Sequence, residues 1–363
     1  MKPNKSYFKD VHPGFAINGC SYNKTALNDL GERFRGCKES YKRAIGSFIL
    51  DWLNDDDCVT VQTSGSTGKP KSIKIKKVQM VNSAIATARR FELPEKTTAL
   101  LCLPAGFIAG KMMLVRAMVM GWHIDLVPPQ SNPLDQVFRA YDFCAMTPFQ
   151  LEHSLSKVHL LKKLVVGGGA ISTSLNKKLI DLPVKIYETY GMTETVTHVA
   201  VRRVNPKKNK EIARPFKVFK DVVLSQDNRG CLMIKAPMVA SDLVVTNDLV
   251  KLVTHKEFVW LGRVDNVINS GGVKLYPEQI EKKLQPFIEK PFFIVGVPDE
   301  LLEVRVALFV EQKESFVFKE NSGAREVVNA YEFPKKIYTV THFERTENGK
   351  IRRKNTVNKA LGI

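Results

Sequence analysis

The feature that most constrains this chain is the stretch 63–73, which reads TSGSTGKPKSI. Gly65 and Gly68 lack a Cβ and let the backbone approach a ligand closely; Thr63, Ser64, Ser66 and Thr67 add hydroxyl donors and Lys69 a positive charge. Together they form a phosphate cradle. A Walker A loop would read GxxxxGK[ST] and enter a helix directly, whereas here the two glycines are three residues apart and Pro70 follows the lysine, so P-loop folds are excluded. A flexible Ser/Gly linker is the plain alternative, but it does not account for the ordered succession of hydroxyls, glycines and lysine.

The rest of the chain reads as mixed α/β material. Apolar runs at 100–103, 163–166, 184–187 and 292–297 lead into Gly or Pro, as buried strands of α/β sheets do. Helical spacing covers 78–91 and 277–287, the second opened by Pro277 and Glu278. Residues 261–272 (LGRVDNVINSGG) mix charges, Asn and Gly between a strand-like run and a helix start, which suits a linker. A boundary near Asp265 divides the chain into 1–264, a large domain of sheets flanked by helices, and 265–363, a small α+β domain. A surface turn within one domain is the alternative.

Composition narrows the class. The 363 residues allow two domains, and 44% hydrophobic content with 22 Gly, 18 Pro and 6 Cys excludes disordered, collagen-like and disulfide-scaffold chains. The six cysteines are scattered without CxxC or Cys/His metal spacing, as in a reduced cytoplasmic protein. The start, MKPNKSYFKDVHPG, has no signal-peptide core, and the most apolar window, 107–120, is interrupted by Lys111 and Arg116, so no membrane span is expected. The net charge of +18 is uneven: the first 264 residues carry 39 basic against 23 acidic residues, the remainder 16 against 14. Nucleic acid, an anionic membrane or a polyphosphate ligand would each suit that excess. A non-enzymatic nucleic-acid binder is disfavoured because the basic residues are not interleaved with aromatics and no zinc-finger or helix-turn-helix pattern is present; clusters such as 207–208 and 74–77 read equally well as solvated faces.

Four further motifs accompany the loop: YGMTE at 190–194, TND at 246–248, GRVDNVINSGGVKLYPEQIE at 262–281 and RTENGKIR at 345–352. In sequence and order they resemble the adenylate-forming superfamily of acyl-CoA ligases, amino-acid adenylation domains and luciferases. Within it, LPAGFIAGKMMLVRAM and YGMTETVTH resemble the o-succinylbenzoate–CoA ligases of menaquinone biosynthesis.

The resemblance implies an enzyme in which a carboxylate attacks the α-phosphate of ATP, giving an acyl-adenylate and pyrophosphate, and CoA then displaces AMP. Lys350 takes the place of the catalytic lysine, Thr193 contacts the α-phosphate and Glu194 holds Mg²⁺. Arg352, Arg353 and Lys354 read as a solvated surface. Tyr190 stacks on adenine, Glu188 accepts from its amino group, and Gly168, Gly169 and Ala170, after Gly167, lie on the other side of the base. Asp248 and Arg263 bind the ribose, Asp265 is the hinge, and Gly271, Gly272 and Lys274 face the site in the thioester step. Phe107, Ile108, Gly110, Gly191 and Thr195 form the acyl pocket, with Lys111, Arg116 or His198 for a distal carboxylate; a structural histidine and a helix-surface arginine are the alternatives for the last two.

Partners are thus a carboxylic acid, ATP and CoA, without nucleic acid or membrane. Other aryl or fatty acids, or a carrier protein in place of CoA, remain open within the same chemistry. The chain departs from the family pattern at Ser72, where Gly usually closes the loop, at Phe343-Glu344, where proline is frequent, and in having only 62 residues before Thr63. That shortness implies a reduced N-terminal subdomain or a compensating homodimer contact.

Overall fold

The computed structural model describes residues 10–62, 72–206, 214–318, 323–345 and 351–362. Its centre is a mixed sheet of thirteen strands. Six of them are mutually parallel, in the spatial order Ala16–Ile17, His123–Leu126, Thr98–Leu101, Tyr141–Met146, Leu161–Val166 and Lys185–Gly191. Tyr141–Met146 is buried at five of its six positions, as expected of a strand covered by structure on both faces. The sheet then turns antiparallel through His198–Arg203, Phe216–Val218, Glu257–Arg263, Val244–Thr254, Cys231–Lys235 and Val223–Gln226. At the opposite end Ala16–Ile17 pairs in parallel with His123–Leu126 and antiparallel with the edge strand Cys20–Ser21.

Helices Lys24–Arg35 and Ser40–Leu53, the helix Lys77–Phe91 and the helix Ile108–Met120 bury Trp52, Phe48, Met80 and Met112 in one core, which also takes Trp122 and Phe143. The expected helix at 78–91 is present, capped at Glu92 in the left-handed region. Ile108–Met120 is buried from Gly110 to Val119 without a solvent stripe, so its two cations are inside rather than interrupting a surface. It stops at Gly121 (φ +67°), where a Cβ would lie 2.3 Å from His12 Nδ1.

A second core, with Leu100, Leu134, Leu164 and Ile186, covers the other side of the parallel strands. From Ile268 onward the buried apolar residues form two further clusters of their own. These pack a three-stranded sheet, Phe292–Asp299, Glu303–Glu311 and Lys336–Val340, against helices Pro277–Leu284 and Arg353–Leu361. The hairpin Ile268–Ser270 and Val273–Leu275 turns through Gly271 (φ +53°) and Gly272 (φ +80°), a geometry open to glycine and costly for other residues.

Two residues read as surface charges are not. Lys77 is fully buried, and its ammonium donates to the Asn54 carbonyl and Oδ1, both at 2.8 Å, below the acidic run Asp55-Asp56-Asp57. Arg353 is only 24% exposed at its side chain and is bound to Glu281, while Arg352 and Lys354 do lie at the surface. Burial of each depends on the helix face it occupies, which a run of basic residues does not reveal. No helix among the described residues is long and apolar enough to cross a membrane.

Candidate active site

The parallel strands place their carboxyl ends along one edge of the sheet, the edge at which α/β sheets bind ligands. The segments leaving that edge are 102–107 after Thr98–Leu101, Thr147 after Tyr141–Met146, 167–170 after Leu161–Val166, and the turn that follows Lys185–Gly191. Topology therefore gathers the GGG, YGMTE and LPAGFIAG segments, which are far apart in sequence.

The amide of Gly167 donates to the Met146 carbonyl at 3.1 Å, and a Cβ there would meet Thr189 Oγ1 at 2.5 Å. Gly168 (φ +84°), Gly169 and Ala170 are exposed beyond it. Strand alternation puts Glu188 and Tyr190 on one face of Lys185–Gly191. Glu188 is directly opposite Arg202, whose Nε and Nη2 approach Oε2 at 2.8 and 2.6 Å, while Oε1 accepts from the Ile171 amide at 3.4 Å. These residues, with Asn176, Arg203, Val204 and Arg214, line a polar hollow.

Tyr190 contacts Phe258 edge-on and Phe216 at a tilt, with ring centroids 5.0 and 5.9 Å away. Its hydroxyl donates to Asp248 Oδ2 at 2.6 Å, and burial followed by the Asp248 charge pushes its pKa far up, so it stays a donor. Asp248 is the cross-strand partner of Arg263, 3.8 Å from it; Arg263 Nη2 donates to Asp265 Oδ2 at 2.7 Å, and Asn247 Nδ2 donates to both oxygens of Asp265 at 3.1 and 3.2 Å. One polar chain thus joins Tyr190 and the two expected ribose residues to the expected hinge residue. Gly271, Gly272 and Lys274 are exposed on the hairpin after Asp265.

Gly191 admits no side chain: a Cβ would lie 2.2 Å from the Thr197 carbonyl. The chain then makes the 3₁₀ turn Thr193–Thr195, and Val196 takes φ +65° and ψ −63°, an unfavourable conformation for a β-branched residue costing about 1–3 kcal/mol. Thr195, fully buried, holds this turn; its hydroxyl accepts from the Met192 amide at 3.1 Å and donates to the Thr197 carbonyl at 2.8 Å. The turn presents Thr193 half-buried and Glu194 exposed. Among the described residues no group of three or more His, Cys, Asp or Glu side chains could hold a metal by itself. A lone carboxylate such as Glu194 fits Mg²⁺ that takes its other ligands from phosphates and water.

Phe107 caps the helix Ile108–Met120, and Gly110 approaches Pro104 so closely that a Cβ would lie 2.3 Å from its carbonyl. Arg116 on this helix is 2% exposed. Its Nη2 donates to Thr197 Oγ1 at 3.3 Å and its Nη1 lies 3.7 Å from Met113 Sδ, whereas Nε has no partner, and no carboxylate is paired with it among the described residues. Burial lowers its pKa from 12.5 to about 9. Lys111 lies over the Phe48 ring at 4.7 Å, its pKa lowered by burial and raised in part by Asp51. His198 Nε2 pairs with Thr87 Oγ1 at 3.1 Å, its ring edge-on to Phe91 and Phe219. Burial, then Arg116, holds it well below the usual histidine range and hence neutral at pH 7.

The loop residues Thr63, Ser64, Gly65, Ser66, Thr67, Gly68 and Lys69, and also Lys350, lie outside the described residues. Their flanks are described. Cys58–Gln62 and Ser72–Lys76 form an antiparallel pair, with Ser72 opposite Gln62 and accepting from its amide at 2.7 Å, so serine at this departure joins the ladder. Sequence reasoning missed Arg202, Asn247 and Thr197. The TND motif contains Asn247 and YGMTETVTH contains Thr197, but neither motif says what they bind; the cross-strand register of Glu188 with Arg202 and the contact of Thr197 with Arg116 are tertiary facts.

The family model of AMP-binding enzymes matches residues 26–242. An acyl-CoA synthetase (AMP-forming)/AMP-acid ligase II-like protein of Dyadobacter fermentans is 34% identical, with 92% of this chain and 98% of that one covered and a TM-score of 0.60. The 2-succinylbenzoate–CoA ligase of Lactococcus lactis is 26% identical over 85% of this chain and 72% of its own length. The O-succinylbenzoate coenzyme A synthetase of Bacillus subtilis, solved with ATP and a magnesium ion, is similar in fold with a TM-score of 0.70 at 19% identity, covering 82% of this chain and 69% of that one.

Proposed function

The chain belongs to the AMP-binding enzyme family as an AMP-forming acid–CoA ligase, and we propose that its acid carries a second carboxylate and is 2-succinylbenzoate, the CoA-ligase step of menaquinone biosynthesis. The observation that carries this reading is Arg116, a buried guanidinium beside the expected acyl pocket with an unpartnered Nε and no carboxylate on it among the described residues. A buried cation without a counterion is costly unless a ligand supplies the charge. The distal carboxylate of a dicarboxylic acid would do so, and a fatty acid would not.

In this reading one oxygen of the acid's reactive carboxylate attacks the α-phosphorus of ATP. The bond to the bridging oxygen breaks, pyrophosphate leaves, and an acyl-adenylate remains. The loop 63–69 and Thr193 donate to the phosphates, and Lys350 places its charge between the α-phosphate and the attacking carboxylate; removing such a donor costs roughly 10²- to 10³-fold. Mg²⁺, held by Glu194 when bound, neutralises phosphate charge. Gly168, Gly169 and Ala170 face adenine across from Tyr190, Glu188 accepts from the base, and Asp248 and Arg263 take the ribose hydroxyls. The thiol sulfur of CoA then attacks the acyl carbon, AMP leaves, and the thiol proton goes to solvent. For that step residues 265–363 turn about Asp265 relative to 1–264, bringing Lys274 and the Gly271-Gly272 turn to the pantetheine arm.

Purified protein with ATP, Mg²⁺, CoA and 2-succinylbenzoate should release pyrophosphate and consume CoA. The analogue lacking the ring carboxylate should need a concentration higher by about 10-fold or more, the order of one charged hydrogen bond. Absence of pyrophosphate release, or equal use of both acids, would refute the assignment.

A further inference from the structure

Gln150, buried in the short helix Pro148–His153, spends both polar atoms of its side chain on the backbone of its neighbours. Its Oε1 accepts from the Thr147 amide at 3.1 Å, and the Thr147 hydroxyl accepts from the Gln150 amide at 3.2 Å, which closes a capping box at the start of the helix. Its Nε2 donates in two directions, to the Cys102 carbonyl at 2.9 Å and to the Gln130 carbonyl at 3.2 Å. The Thr147 amide needs an acceptor and the two carbonyls need donors, so the side chain has one orientation here. These partners follow three adjacent strands of the sheet: Thr147 leaves Tyr141–Met146, Cys102 leaves Thr98–Leu101, and Gln130 lies beyond His123–Leu126.

A capping box is satisfied by glutamate as well as by glutamine at this position. The cap alone therefore does not account for Nε2; the two carbonyls require a double donor, which the amide has and a carboxylate lacks. The segments so joined belong to two different sides of the candidate site. Cys102 opens 102–107, which ends at Phe107 on the expected acyl side, and the Pro104 carbonyl within it lies against Gly110. Thr147 and Pro148 stand against the glycine loop on the nucleotide side: a Cβ on Gly168 would lie 4.0 Å from Thr147 Cγ2 and one on Gly169 3.9 Å from Pro148 Cγ, and the Gly167 amide bonds to the Met146 carbonyl. The helix is tied again just past its far end, where the hydroxyl of fully buried Ser154 donates to Asn132 Oδ1 at 3.1 Å.

We propose that Gln150 is a positioning residue for adenylation, which sets the distance between acid and nucleotide by tying 102–107 to Thr147 and the glycine loop beside it. This rests on the reading that the acid lies at Phe107 and Gly110 and the adenine at Gly168, Gly169 and Ala170. The side chain touches no reacting atom. In adenylation the acid and ATP are separate molecules, and misplacing one against the other by about 1 Å costs on the order of 10²-fold. In the thioester step the acyl group and AMP are already joined by a covalent bond, which fixes their spacing whatever the two loops do. Loosening the tie should therefore slow the first step and spare the second, whereas a general weakening of the fold would slow both.

The test uses the full chain with Gln150→Glu, which keeps the length and the acceptor of the capping box and can hold at most one of the two carbonyls. ATP–pyrophosphate exchange with 2-succinylbenzoate, or with whichever acid of a panel supports exchange by the wild type, reports adenylation; single-turnover reaction of supplied acyl-adenylate with CoA reports the second step. We expect the exchange kcat to fall about 10- to 100-fold and the second step less than threefold. Unchanged exchange, or loss in equal proportion in both steps, would overturn the proposal. Phe107→Ala tests the reading beneath it: if that variant leaves the KM for the acid unchanged, it is the placement of the acyl pocket that fails. Should Gln150→Glu not fold, Gln150→Met, uncharged and of similar length, carries the same comparison.

Discussion

Arg116→Met separates the proposed substrate from its alternatives, because the two consequences of removing this guanidinium run in opposite directions. In the free protein the group is buried without a carboxylate partner, and the fall of its pKa from 12.5 to about 9 corresponds to roughly 5 kcal/mol of uncompensated desolvation as an upper bound. Methionine has similar length and no charge, and the Met113 sulfur already lies against the site. Recovering even about 1 kcal/mol would raise Tm by about 2–4 °C. In the complex the same substitution removes a charged hydrogen bond to the distal carboxylate, about 1.5–3 kcal/mol, or roughly 10- to 150-fold in the KM for 2-succinylbenzoate. The KM for ATP should not change. Scanning calorimetry and pyrophosphate-release kinetics on the same preparation give both numbers. A lower Tm with an unchanged KM for the acid would show that Arg116 supports the fold and meets no substrate charge, and the reasoning from its isolation would be wrong.

His198 gives a pH signature. Its folded-state pKa lies below the ordinary 6.5, so the unfolded chain binds a proton that the folded chain refuses; its contribution is present above about pH 6.5 and is lost as pH falls. His198→Gln should flatten the decline of Tm between about pH 7 and 5, and an unchanged slope would rule out this origin. Tyr190→Phe removes the 2.6 Å bond to Asp248 and should raise the KM for ATP about tenfold, with little change in the KM for the acid; equal changes in both would argue against Asp248 as a ribose partner. Gly191→Ala places a Cβ 2.2 Å from the Thr197 carbonyl, so backbone must shift beside the Val196 strain; we expect Tm to drop by several degrees and exchange to fall at least tenfold, and a wild-type enzyme would contradict the crowding.

How much of this could be read from the sequence depended on whether the signal was local. The helix Pro277–Leu284 announced itself through Pro at its first turn, and the strands Leu161–Val166 and Lys185–Gly191 through apolar runs leading to glycine, because those signals belong to the residues concerned. Charges were misread where burial was decided elsewhere. Ile108–Met120 is enclosed on all sides, so no hydrophobic periodicity marks which side Arg116 faces. Arg353 sits in a basic run identical in character to its exposed neighbours, and only the amide-oriented Glu281 across a turn of chain distinguishes it. Lys77 likewise is explained by Asn54, which is 23 residues away. The sheet order was illegible: nothing local says that Ala16–Ile17 joins His123–Leu126.

That last pairing bears on how the chain is made. Ala16 is matched to His123 and Ile17 to Ile124, so the hairpin at one side of the large sheet joins it through partners more than a hundred positions apart. At roughly 5–20 residues per second of synthesis, the earlier strand waits about 5–20 s for its neighbour to exist. Throughout that interval Phe15 and Ile17, which end almost wholly shielded, have no sheet to enter. Nascent chains of this protein therefore carry a sticky segment for seconds, and slowing translation before residue 123 should raise their dependence on chaperones without altering the finished fold.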